Sequence, residues 1–185
     1  MHAALLKEFS TTGISLEGAR IQKVLPGPPG SHRLALIDLE RICWYEDPFL
    51  ESAELYCVPA ALLAGICSRE TRCRNIIGDH GNGVGLMQID KRYHPFATEK
   101  GAMTPDRNIE YAARLLASNW TALCRDMSKA SWTYAEKLRG AVAAYNSGLR
   151  NVQTWERMDV GTTQNDYSAD VWERARAFYP YFSEK

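Results

Sequence analysis

The stretch "GDHGNGVGLMQID", Gly78 to Asp90, sets four glycines within eight positions, carries one aspartate, Asp79, at its start and another, Asp90, at its end, and turns apolar before the second. Just upstream, "ICSRETRC" (66–73) carries a single glutamate, Glu70. How this stretch is read decides the fold, because it interrupts a chain that is otherwise helical in pattern. Three familiar glycine loops fail on spacing. A P-loop needs a lysine and then serine or threonine after its last glycine, and none is in register. A Rossmann turn needs a strand before it and a helix opening at its end, whereas a helical pattern precedes this one. An EF-hand loop starting at Asp79 would end at Asp90, but its third and fifth positions are Gly81 and Gly83, and its sixth, which should be glycine, is Val84. What remains is a loop whose glycines let the backbone bend tightly and approach something closely. Within it, "VGLMQID" has the composition for a short strand or two.

On both sides of the loop the period is helical. "HRLALIDLERICWYED" (32–47) places Leu34, Ile37, Ile42 and Trp44 at spacings that build an apolar stripe. Pro48 and Pro59 can each open a helix, since proline is favoured in the first turn. Thr104 is placed to cap a long helix from Pro105, with Ile109, Ala112, Leu116, Trp120 and Leu123 along it at steps of three and four. Tyr134, Leu138, Val142 and Tyr145 mark another helix, ended by Gly148, and Val171, Trp172, Ala175 and Phe178 mark the last. Near the N-terminus, "LPGPPG" (25–30) breaks the pattern, so residues 1–30 are expected to form an arm and Pro/Gly linker, and residues 31–185 the main domain.

Composition narrows the function. The 185 residues, 45% of them hydrophobic, suffice for one core. The 22 basic and 22 acidic residues balance, which leaves no basic footprint for nucleic acid. No apolar run reaches the length of a membrane span, and "MHAALLKEFSTTG" is too short in its apolar part and charged too early for a signal peptide. The five cysteines follow no zinc spacing; buried thiols and one or two disulfides both fit them.

Leu63, Ile66, Cys67 and Glu70 fall on one side of the helix that starts near Pro59. This puts Glu70 at the C-terminal end of the helix and on its apolar face. Desolvation and the negative end of the helix dipole both disfavour the ionised form there, and a raised carboxyl pKa is what a general acid needs. Pairing with Arg69, Arg72 or Arg74 is the structural alternative. The loop brings Asp79 and Asp90 back toward that helix, and an acid on an apolar face opposite carboxylates on a polar loop is a layout for glycoside hydrolysis. The alternatives are an Asx-turn for Asp79 and a salt bridge with Lys91 or Arg92 for Asp90.

Taken in order, "SRE", "GDHGNGVGLMQIDKRYH", "GAVAAYNSG" and "ERMDVGTTQNDYSADV" resemble the goose-type lysozymes, glycoside hydrolase relatives of the soluble lytic transglycosylases. The resemblance runs from Val58 to Phe178, and the stretch between Glu70 and Asp79 is shorter than is usual in that family. It implies a mainly α, lysozyme-like (α+β) fold: a helical domain with a small β element beside the active-site cleft. It also implies cleavage of the β-1,4 bond between N-acetylmuramic acid and N-acetylglucosamine, without metal or organic cofactor. By motif, Glu70 is the general acid, and Asp90 and Asp79 are the carboxylates that position water in an inverting reaction. Gln88, His94, Tyr145, Asn146 and Tyr167 match positions that bind sugar. A lytic transglycosylase using Glu70 alone and a non-catalytic wall-binding module are the other readings. The expected partners are peptidoglycan strands or chitooligosaccharides and a proteinaceous lysozyme inhibitor or immunity protein. The expected state is a monomer, secreted or delivered to the bacterial cell wall or periplasm.

Overall fold

The computed structural model describes residues 2–183, so Met1, Glu184 and Lys185, the ends of the two expected domains, lie outside the described residues. Among those residues are seven α-helices: α1 (Leu16–Gln22), α2 (Pro28–Cys43), α3 (Glu46–Tyr56), α4 (Ala60–Thr71), α5 (Pro105–Arg125), α6 (Tyr134–Ser147) and α7 (Tyr167–Ser183). Between α4 and α5 the glycine-rich stretch forms a three-stranded antiparallel sheet of very short strands. These are β1 (Ile77–Gly78), β2 (Gly83–Val84) and β3 (Ile89–Asp90), paired Gly78 to Gly83 and Gly83 to Asp90. The architecture is the mainly α fold with a small β element that the sequence pattern implies.

Nine of the twelve residues of α4 are buried, so it is a central helix rather than a surface one. It lies against α7, which in turn packs on α2, while α5 and α6 pack together on the other side. Two local expectations change. Ile37 and Trp44 are 45% and 66% exposed, and the buried face of α2 is Ser31, Leu34, Ala35, Asp38 and Ile42. Asp38 sits in the middle of that face, and its charge disguises the true stripe. Thr104 stands at the N-cap of α5 without a side-chain cap, whereas Thr133 and Glu136 form a reciprocal capping box at α6.

Residues 4–30, expected as an arm and linker, lie against the helical body. Leu6 and Ile14 are fully buried, and each such side chain contributes roughly 1.5–3 kcal/mol when taken out of water. Phe9 stacks on Trp172 with ring centroids 4.8 Å apart, and Thr11 donates its N–H to the buried Glu173 carboxylate at 2.6 Å. Pro28 and Pro29 do not separate two parts of the chain. They occupy the first turn of α2, where a missing N–H costs no hydrogen bond.

The loop after β2 passes through the middle of the molecule, and three helices hold its backbone. Thr71 of α4 donates its hydroxyl to the Leu86 carbonyl at 2.8 Å. Tyr145 of α6 donates to the Met87 carbonyl at 2.8 Å. Asn108 of α5, fully buried, accepts from the Met87 N–H at 2.8 Å and donates to the Val84 and Ala102 carbonyls at 3.0 Å each. Gly85 has φ +80°, and a Cβ there would collide with the Asn108 amide, so only glycine fits. Replacing Asn108 by alanine leaves three buried backbone groups without partners, at about 1–3 kcal/mol for each that water cannot reach. The Asn108→Ala protein is expected to lose at least ~2 kcal/mol of stability, read as a lower midpoint of urea unfolding.

Candidate active site

Helix α4 ends at Arg72, which is left-handed at φ 55°, and the next N–H, that of Cys73, returns to the Cys67 carbonyl at 3.3 Å. This Schellman closure stacks the two buried cysteines over one another and fixes the last turn. All five cysteines are free thiols; Cys43, Cys57 and Cys124 are exposed. Glu70 projects from that last turn. Burial pushes its carboxyl up to about 7, while the Tyr167 hydroxyl and the Arg69 charge pull the other way. The Tyr167 hydroxyl donates directly to Glu70 Oε1.

Arg69 and Arg72 do not neutralise Glu70, because their guanidinium groups are held by other acids. Arg69 donates to Asp170 at 2.5 Å, to Asp166 at 2.7 Å and to Gln164 Oε1 at 2.8 Å. Arg72 pairs with the buried Asp38 at 2.6 Å, and Arg41 and Ser68 donate to the same carboxylate. Arg174, itself buried, links the two clusters through Asp170 at 2.8 Å and the Ser68 hydroxyl at 2.9 Å. Burial pushes Asp170 up, but Arg174 and Arg69 outweigh it and hold the carboxyl below its ordinary range. The floor under Glu70 is therefore a satisfied ion network, with Glu70 left as the acid that keeps its proton.

Two depressions meet at Asn146, and Glu70 lines the smaller of them. The larger, about 490 Å³, is lined by Gln88, Asp90, Tyr93, His94, Asn119, Tyr145 and Asn146, among others. The smaller, about 150 Å³, is lined by Glu70, Arg69, Thr163, Gln164, Tyr167 and Asn146, together with Gly18, Ile21 and Gln22 of α1. Asn146 borders both and is steadied by Thr163, whose N–H donates to Asn146 Oδ1 at 2.9 Å. Gln88 donates to the Gly85 carbonyl at 2.8 Å, and its carboxamide fills the space where a Cβ on Gly78 or Gly83 would lie, which accounts for both glycines. His94 meets the Tyr111 hydroxyl at Nδ1, and burial lowers its pKa despite the pull of Asp90. Tyr145 and Tyr167 thus hold the site together as well as lining it.

The aspartates differ. Arg92 bridges them, at 2.7 Å to Asp79 Oδ2 and 2.5 Å to Asp90 Oδ2, so the ion pair offered by the sequence for Asp90 forms. The Arg92 bond holds the Asp90 carboxyl below its ordinary range. Asp90, 24% exposed, lines the larger depression; Asp79, 51% exposed, stands outside its lining.

With this geometry, comparison with known proteins is informative. The lysozyme g family model matches residues 5–181. Lysozyme g of Casuarius casuarius is 36% identical over 179 residues, covering 94% of each chain. Lysozyme g of Gallus gallus is 36% identical over 94% of this chain and 82% of its own length, and that of Cyprinus carpio 33% identical over 92% of each. The chain belongs to the lysozyme g family. It is therefore a lysozyme, a glycoside hydrolase, and the family match begins within the segment that the "LPGPPG" reading sets apart.

Several residues of this lysozyme's site have no site role in the sequence reading: Thr71, Asn108, Asn119, the face of α1, and Thr163 and Gln164 within the last motif; Arg92 is anticipated only as a salt-bridge partner of Asp90. Only Asn108 leaves a signal, a polar residue four before Ala112 and eight before Leu116 on a buried face. Among the described residues, no helix is long and apolar enough to cross a membrane, and no group of three His, Cys, Asp or Glu side chains could hold a metal.

The raised pKa carries a cost in stability. Below about 4.5 Glu70 is protonated in both the folded and the unfolded chain. As pH rises from there through about 7, the unfolded chain releases the proton first and the folded state loses stability. The loss is roughly 1.4 kcal/mol for each tenfold difference in proton affinity between the two states. Glu70→Gln is thus expected to unfold at a higher temperature than wild type at pH 8, with the difference vanishing near pH 4. Tyr167→Phe, which removes a donor to the carboxylate, is expected to move the Glu70 titration to higher pH in a ¹³C NMR experiment.

Proposed function

We propose that the enzyme hydrolyses the β-1,4 bond between N-acetylmuramic acid and N-acetylglucosamine of peptidoglycan with inversion at the anomeric carbon. The observation that carries this reading is the pairing of one buried carboxyl near 7 with an ionised carboxylate lining the adjoining cleft. Glu70 gives its proton to the glycosidic oxygen as the C–O bond breaks. Water attacks the opposite face of the anomeric carbon and passes its proton to Asp90. The Tyr167 hydroxyl then steadies the Glu70 carboxylate until solvent returns the proton. Asp90 is favoured over Asp79 as base because it lines the cleft and is the less exposed of the two. Asp79 acts through Arg92, which it shares. In this reading Tyr93, His94, Tyr145 and Asn146 hold sugar units by ring packing and hydrogen bonds.

The activity is expected to fall as pH rises through about 7, where Glu70 loses its proton, and to fall in acid only below the ordinary carboxylate range, where Asp90 gains one. Glu70→Gln is expected to lose roughly 10²–10⁴-fold in rate with unchanged circular dichroism, and Asp90→Asn to lose more than Asp79→Asn. Proton NMR of early digestion products identifies the stereochemistry: the α-anomer supports inversion, and the β-anomer would replace it with a retaining route. A 1,6-anhydro product in mass spectra would instead make the enzyme a transglycosylase.

A further inference from the structure

Helix α1 belongs to the site. Its N-cap, Ser15, donates its N–H to Asp166 Oδ2 at 2.6 Å, and Asp166 Oδ1 receives Arg69 at 2.7 Å. Gly18 lies so close to the same carboxylate that a Cβ would stand 2.8 Å from Asp166 Oδ2, so the helix can seat there only with glycine. At its other end, Gln22 Oε1 receives Arg72 at 3.4 Å. The two arginines that hold α1 are the residues before and two after Glu70, so the helix is referenced to the last turn of α4. Its face at Gly18, Ile21 and Gln22, spaced by three and four residues, lines the smaller depression beside the glutamate.

Ile21 is 59% exposed at the rim of this otherwise polar depression, next to the Gln22 carboxamide. Asn146, Thr163 and Gln164 also line it. An apolar branched side chain beside an amide, with further amides and a hydroxyl in the same lining, suits an N-acetylated pyranose: the isoleucine meets its C–H face or acetamido methyl, and the carboxamide meets the acetamido group. The volume, about 150 Å³, is on the scale of a single monosaccharide. In an inverting reaction, acid and base act from opposite sides of the sugar being attacked. The depression on the Glu70 side, away from Asp90, is thus the place of the leaving sugar.

We infer that α1 is the wall of the leaving-sugar subsite, with Ile21 and Gln22 determining acceptance of an N-acetylhexosamine there. The inference rests on the hydrolase reading above, and it makes the N-terminal segment part of substrate recognition.

The test compares wild type, Ile21→Asp, Gln22→Ala and the control Leu36→Ala, an exposed apolar residue of α2 that takes no part in the site. Each digests chitohexaose, with products separated by chromatography and kinetics measured on the same oligomer. Ile21→Asp and Gln22→Ala are expected to raise KM, Ile21→Asp by roughly tenfold, the scale of one lost apolar contact. They are also expected to redistribute the cut sites, with kcat for the remaining products and the thermal midpoint near wild type. Leu36→Ala is expected to match wild type throughout. Unchanged KM and cut sites in both α1 variants, with wild type active, overturn the assignment of α1 alone. A loss of kcat with unchanged KM and cut sites also overturns it, since α1 would then act only on the glutamate's surroundings. A wild type that cleaves neither chitohexaose nor peptidoglycan overturns the hydrolase reading and this one with it.

Discussion

A non-helical chain that passes through the centre of a helical protein carries amides and carbonyls that water cannot reach, and each must find a partner. The loop from Val84 to Gln88 meets this requirement with side chains rather than with a long sheet. Thr71, Asn108 and Tyr145, from three different helices, supply the donors and the acceptor. The consequence is geometric. Because α4, α5 and α6 each hold the loop at one point, the loop fixes their mutual positions as much as they fix the loop. The cleft walls and the helix that carries Glu70 share one frame.

A second constraint lies beneath. A carboxyl that keeps its proton near neutrality needs surroundings that do not offer it a cation, yet Glu70 is flanked in sequence by Arg69 and Arg72. The protein directs both arginines elsewhere, into carboxylates at Asp38, Asp166 and Asp170. Buried ion pairs contribute little net stability, since desolvation offsets most of their attraction. Here their effect is on chemistry, in withdrawing positive charge from the acid. The cost of holding Glu70 protonated and the network that permits it both follow from the burial of one carboxyl beside arginines that other acids hold.

Most helices were legible because their apolar residues recur at three and four and because proline and glycine punctuate them. Glu70 was legible for the same reason, as the polar end of an apolar face. The buried face of α2 was not, since Asp38 lies in its middle and nothing local announces that three arginines converge on it. The partners of Arg69 are 97 and 101 residues away, so no window of sequence contains the pairing. In "LPGPPG" a proline of a first turn and a proline of a linker look alike in sequence; the structure sets Pro28 and Pro29 in the first turn of α2, with Leu6 and Ile14 before them buried. The salt bridge of Arg92 with both aspartates follows from the hairpin register, which short glycine-rich strands specify weakly in sequence.

The hairpin is fastened unevenly. Gly85 to Gln88 is clamped from three directions, Asp90 pairs with Gly83 and β1 pairs with β2, but the chain from Arg74 to Ile76 runs along the surface and is tied chiefly through the Asn75 side chain and the Ile76 carbonyl. Length can therefore vary there at little thermodynamic cost, as surface loops allow. A few residues more or fewer between Arg74 and Ile76 would leave helix α4, with Glu70 in its last turn, and the clamped loop where they are.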